Sequence, residues 1–179
     1  DALAFDDGGT AGAADDRMLS VTRTGDAVTE FFGTTQADLR GIEANSFSKQ
    51  VNIVDADGFH GRIAATGNSF GAVKVIGDFF GLLSTSAGIK SFEVRDGDVG
   101  GTVTAGELLK ATVRDGDVAA SGLIGVRDLL GNFQQIGRNG ETFDGTIVAG
   151  ASAKIDIAGA AGADALLIVE DDAASVQFR

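Results

Sequence analysis

Three observations predict an all-β fold of stacked coils, each about 20 residues long. First, the string Val-Arg-Asp-Gly-Asp-Val occurs at Val94–Val99 and again at Val113–Val118, 19 residues apart. Second, the glycines that follow a Gly-Asp or Asp-Gly turn and an apolar residue, Gly61, Gly81 and Gly101, are spaced by 20 and 20. A fixed period of this length marks a solenoid, in which each repeat buries its apolar face only by stacking on its neighbours. Third, the chain has no proline and 27 glycines. An average chain of this size would hold about nine prolines, and their absence suits a body made of hydrogen-bonded ladders to which proline cannot donate.

Residues 1–17 are rich in Gly, Ala and Asp, with acidic pairs at Asp6-Asp7 and Asp15-Asp16. They cannot bury a core of their own. The segment is expected either as a flexible or strapped leader or as a strand, carried by Leu3 and Phe5, that adds to another subunit. Residues 18–179 form a single domain. Leu19-Ser20-Val21-Thr22 alternates as a strand, Gly25-Asp26 turns, and Phe31 and Phe32 are placed to close the first coil. No cap helix is evident there, although an uncovered first coil is an open sheet edge. Arg40 to Phe47 reads as a further coil.

The coils from Val51 to Ile124 are the most regular. Val51-Asn52-Ile53-Val54, Val73-Lys74-Val75-Ile76 and Phe92-Glu93-Val94 alternate apolar with polar residues, the period-2 pattern of half-buried strands. Phe92, Val94, Val99, Val103 and Ala105 are read as inward, with Phe79, Phe80 and Phe92 filling the wider layers. Gly125 to Gly140 breaks the rhythm and lengthens its coil. Lys154-Ile155-Asp156-Ile157 and Ala165 to Val169 supply late strands. After the acidic turn Glu170-Asp171-Asp172, Ala174 to Arg179 is a final short strand with no polar cap behind it, leaving Val176 and Phe178 at an open end.

Taken together, the Gly-Asp turns and short β-branched strands from Leu39 to Ile168 resemble the right-handed parallel β-helix, specifically the repeats of bacterial secreted and surface proteins of adhesin or filament type. The resemblance implies an all-β, single-domain right-handed parallel β-helix. It implies little about activity, because one architecture hosts many functions.

Composition narrows the functional classes. The net charge of −12, from 26 acidic against 14 basic residues, repels phosphate backbones, and no basic face is present, so nucleic acid is excluded as a partner. No apolar run reaches the length of a membrane-spanning helix. The chain starts at Asp1 without a signal-like segment and is read as either a mature chain from which a leader has been removed or a fragment, the former being preferred. It lacks cysteine, tryptophan and tyrosine. Zinc therefore has too few soft ligands, and no amphipathic rings are available to line a sugar groove.

The single histidine, His60, has neither nucleophile nor acid at a useful spacing, so no catalytic set is expected. The constellation with chemical content is a ladder of turn carboxylates: Asp55, Asp57, Asp78, Asp96, Asp98, Asp115 and Asp117. Coils stack about 4.8 Å apart, so these charges repel. Calcium coordinated by carboxylate and turn carbonyl oxygens is one form of relief. Solvation, with screening by Arg95 and Arg114, is the other.

The expected function is a non-enzymatic structural subunit of an extracellular filament or surface matrix. Its partner would be further copies of itself, assembled head-to-tail through Leu3, Phe5, Phe31, Phe32, Val176 and Phe178. The alternative is an adhesin or ligand-binding module of a larger surface protein, with no cofactor beyond calcium in either case.

Overall fold

The computed structural model describes the backbone of residues 2–6, 17–26, 29–32, 41–54, 58–65, 70–137 and 140–179, with side chains at 51–53, 58–65, 70–137 and 140–179. These residues contain fifteen strands and no helix: β1 (Ala2–Asp6), β2 (Arg17–Asp26), β3 (Thr29–Phe32), β4 (Gly41–Val54), β5 (Arg62–Ala65), β6 (Phe70–Ile76), β7 (Leu82–Thr85), β8 (Gly88–Arg95), β9 (Thr102–Arg114), β10 (Leu123–Ile136), β11 (Thr142–Phe143), β12 (Thr146–Ile157), β13 (Ala160–Ala161), β14 (Leu166–Val169) and β15 (Val176–Phe178).

The strands stack in parallel as a β-solenoid of about 6 turns with about 21 residues per turn. One sheet runs through β2, the first half of β4, β5, β7, the first halves of β9, β10 and β12, and β14. A second runs through β3, the second half of β4, β6, β8, the second halves of β9, β10 and β12, and β15. A narrow third ladder of single bridges links Phe59, Phe79, Val99, Val118 and Phe143. Register shifts, such as that between Val126 and Leu129, mark where a long strand bends from the first sheet into the second.

The core is the stack of inward positions. In the first sheet, Ile63, Leu83, Val103, Ile124 and Ile147 lie in one row, and in the second Val51, Val73, Phe92, Ala111, Phe133 and Ile155 form another, all buried. The alternation read from the sequence therefore holds: Phe92, Val94, Val99, Val103 and Ala105 are all buried. Bulk alternates with economy along the axis. Phe79 meets Phe92 edge-on, with centroids 5.1 Å apart, whereas the next layer supplies Val99 and Ala111.

Two expectations need correction. Phe80 is outward and 39% exposed, stacked 5.1 Å from the His60 ring. The pleat puts Phe79 inside, and its neighbour must then face water. Likewise, Val126 to Ile136 belongs to β10 and pairs with both neighbours, with one extra residue taken up at the register shift between Val126 and Leu129. Further extra residues fall after it, before β11. There Gln135 takes an inward place between Val113 and Ile157. Its Nε2 donates to the Gly116 and Thr142 carbonyls, at 3.1 and 2.9 Å, joining the coils across the longer turn.

At the N-terminal end, β1 pairs antiparallel with β2 of the same chain, whereas the other strand pairs among the described residues are parallel. Leu3, Phe5, Phe31 and Phe32 thus lie in the first strands, with side chains outside the described residues. No described helix is long and apolar enough to cross a membrane.

Candidate functional site

The repeated string Val-Arg-Asp-Gly-Asp-Val resolves into one role per residue. Val94 and Val99 are inward. Arg95 is outward and reaches back to Glu93, with Nε to Oε1 at 2.6 Å, while Arg114 stands 3.9 Å from the same carboxylate oxygen. Both arginines thus lie at the strand glutamate, and the Asp96 charge also acts on Arg95. Asp96 and Asp115 both sit at φ 54°, the left-handed corner that Gly77 occupies one coil earlier. Aspartate tolerates that region better than most residues. Gly97 fits because a Cβ there would lie 2.2 Å from the Gly77 carbonyl carbon.

Asp98 completes the motif as an acceptor. Its Oδ1 takes the N–H of Asp117 at 2.8 Å, Asp78 takes the N–H of Asp98 at 2.7 Å, and Asp117 takes that of Thr142 at 2.6 Å. Each carboxylate replaces a ladder carbonyl at the turn, where the backbone would otherwise leave a donor without a partner. Asp78, Asp98 and Asp117 thus form a structural ladder, while Asp96 and Asp115 lie at the corner beside it. Asp55 and Asp57 fall outside the described residues. No three acidic or histidine groups among the described residues gather at one point.

One consequence is measurable. Asp98→Ala leaves the Asp117 N–H without its acceptor in a half-buried turn, a loss of about 1–3 kcal/mol. Asp98→Asn keeps the oxygen and removes a like charge from the stack. Chemical denaturation should rank Asn within about 1 kcal/mol of the native protein and Ala clearly below it.

The C-terminal end has a different character. In the second sheet, Ile155 is followed by Val176 and Ile157 by Phe178. Val176 and Phe178 thus continue inward rows, yet they are 40% and 50% exposed, because no described coil lies beyond them. Leu167 and Val169, the matching inward positions of β14, are half-buried against the core.

The final strand is tied down by charge. Asp156, on the outward side of β12, accepts from the guanidinium of Arg179 and lies 3.0 Å from Lys154 Nζ. The hydrogen bond from Lys154, opposed by desolvation and helped by the Arg179 and Lys154 charges, holds the Asp156 carboxyl below its ordinary range. A depressed folded-state pKa gives stabilisation that is present above about pH 4 and fades as pH falls through the lower folded value. Acidification should therefore loosen β15. Backbone amide resonances of 176–178 should shift with the Asp156 titration and lose that step in Asp156→Asn.

A shallow groove lies on the side of the solenoid, floored by Gly61, Gly81 and Gly101 and edged by His60 and Phe80 on one side and Arg62 and Leu82 on the other. His60 is exposed, and Thr102 contributes a hydroxyl to the same groove. The chain matches no protein-family model, no curated protein and no solved structure.

Proposed function

We propose that the chain is a non-enzymatic structural subunit of an extracellular filament or surface matrix, stacking head-to-tail through the open face of its last coil. The observation that carries this reading is the exposure of Val176 and Phe178 at positions whose predecessors in the same rows are buried. A coil of another copy laid on β14 and β15 would cover four half-exposed apolar side chains. At about 1.5–3 kcal/mol for each side chain fully buried, that is roughly 3–6 kcal/mol. Association itself costs a comparable amount, so the pairing also needs the ladder hydrogen bonds that the outer edges of β14 and β15 offer. A contact between two different ends does not close on itself and propagates as a fibre. At the opposite end, β1 is the strand that a neighbour would meet or replace.

The extracellular placement rests on the likeness of the coils to those of bacterial secreted and surface proteins. Electron microscopy of the purified protein tests the assembly. Filaments with an axial repeat near one subunit length are expected, and Val176→Asp combined with Phe178→Asp should give dispersed particles with an unchanged β-type circular dichroism spectrum. Filaments that persist in the double variant would sink the end-face mechanism. A native protein that stays monomeric and binds a ligand saturably would favour an adhesin or ligand-binding module instead.

A further inference from the structure

The two sheets differ in what they show to solvent. The outward positions of the second sheet carry Lys74, Glu93, Lys110, Lys154 and Asp156. On the first sheet, the two outward rows run from Leu82 and Ser84 in β7 to Leu166 and Ile168 in β14. Those ten positions hold Leu, Ser, Thr, Gly, Val and Ile, and no charged residue, in a chain that is 22% charged with a net charge of −12. Leu166 and Ile168 are 48% and 41% exposed, and the eight positions above them are each partly exposed. Among the described residues, charged groups return at the margins, at Arg62, Arg127, Asp144, Asp164 and Glu170.

We propose that this uncharged stripe is a self-pairing surface, on which a second copy of the chain lays the same stripe face to face. Charge selects this occupant. Two copies that each carry −12 meet with least repulsion on the flank through a face that contributes none of that charge, and an uncharged stripe offers nothing to an ionic partner. Pitch selects it too, since a second copy repeats the same spacing of about 4.8 Å between coils, so its side-chain rows fit between these. The stripe spans roughly 24 Å along the axis and 13–20 Å across when the uncharged corner at Phe80 and Gly100 is included. Those dimensions give each copy about 300–500 Å², so a pair would bury about 600–1,000 Å², the size of a weak contact, with the charged margins as its rim. The same patch meeting itself implies a two-fold axis and a closed pair. Because the stripe lies on the flank and not on the end, the inference stands apart from the head-to-tail reading.

The chain has no cysteine, so single introduced thiols report cleanly. Packed sheets lie about 10 Å apart, too far for a direct disulfide, so a short-spacer bis-maleimide is the probe. Gly125 is central in the stripe and has room for a side chain, since a Cβ there would meet nothing closer than 3.8 Å. Thr104→Cys, Gly125→Cys and Thr146→Cys, read on denaturing gels, should give a cross-linked dimer at one or more positions. The yield should exceed that of Asn132→Cys, an exposed position on the second sheet, by roughly tenfold. Adding Thr104→Lys should abolish the excess. Stripe positions that cross-link no better than Asn132→Cys overturn the proposal, whether the face is then free or meets a lipid or crystalline surface. Head-to-tail polymers alone hold equivalent residues a full subunit apart and give no such dimer, so the two readings fail separately.

Discussion

Gly101→Ala should lower the melting temperature by about 8–20 °C or prevent folding. A Cβ at Gly101 would stand 2.3 Å from the Gly81 carbonyl oxygen and 2.8 Å from the Gly81 nitrogen. Both are backbone atoms that cannot rotate away. The same oxygen accepts the Thr102 N–H at 2.8 Å, so pushing the coils apart lengthens a ladder bond while opening the core beneath Leu83 and Val103. The relation repeats one coil earlier, where a Cβ on Gly81 would lie 2.2 Å from the Gly61 oxygen. Strain of this kind belongs to the rare losses of 4–5 kcal/mol, and each kcal/mol is worth about 2–4 °C in a chain of this size. Gly125→Ala is the internal control. It lies on the same sheet and its added methyl makes only ordinary contacts, so its melting temperature should stay within about 2 °C of the native value. Equal losses in both variants would overturn the coil-spacing account, since backbone entropy alone favours alanine at both positions.

The contrast explains what was legible in the sequence. The period of Gly61, Gly81 and Gly101 was visible because coil stacking forbids a side chain at Gly81 and Gly101, and a steric veto repeats with the coils. The inward rows were visible for a related reason: the pleat forces alternate residues into one shared interior. Phe80 was misplaced because two consecutive phenylalanines give no parity of their own, and only the bridge from Phe59 to Phe79 shows which one is inside. Gln135 was missed since its inward place breaks the apolar pattern, and its reason, the carbonyls of Gly116 and Thr142, lies in other coils. The aspartates stood out as a set, but the part each plays depends on its turn. Asp98 faces the amide of the next coil, while Asp96 supplies a left-handed corner. At the site, Val176 and Phe178 stood out because they alternate as a strand, and the structure puts both in inward rows while leaving them 40% and 50% exposed. The uncharged flank did not stand out, since its ten positions are scattered over five coils and meet only after stacking.

Phe79→Ala should destabilise the protein by about 3–5 kcal/mol, a fall of roughly 6–20 °C in melting temperature. The ring is fully buried, stacked 5.8 Å from Phe59 in the coil before it and edge-on to Phe92 at 5.1 Å. The hydrogen-bonded coils on either side fix the height of the layer, so the cavity cannot collapse and the full penalty is felt. Phe178→Ala removes the same side chain from an inward position, with a coil on one side only. Its cost to the isolated subunit should be less than half as large, because much of the ring is already in water. If a second copy covers that ring, the missing cost reappears in assembly, and Phe178→Ala raises the concentration at which filaments form while leaving the melting of dispersed subunits nearly unchanged. Measuring both quantities for both variants separates the roles. Phe79→Ala should act on melting in the dispersed state, whereas an effect of Phe178→Ala confined to melting would mean that the last coil is an inert edge.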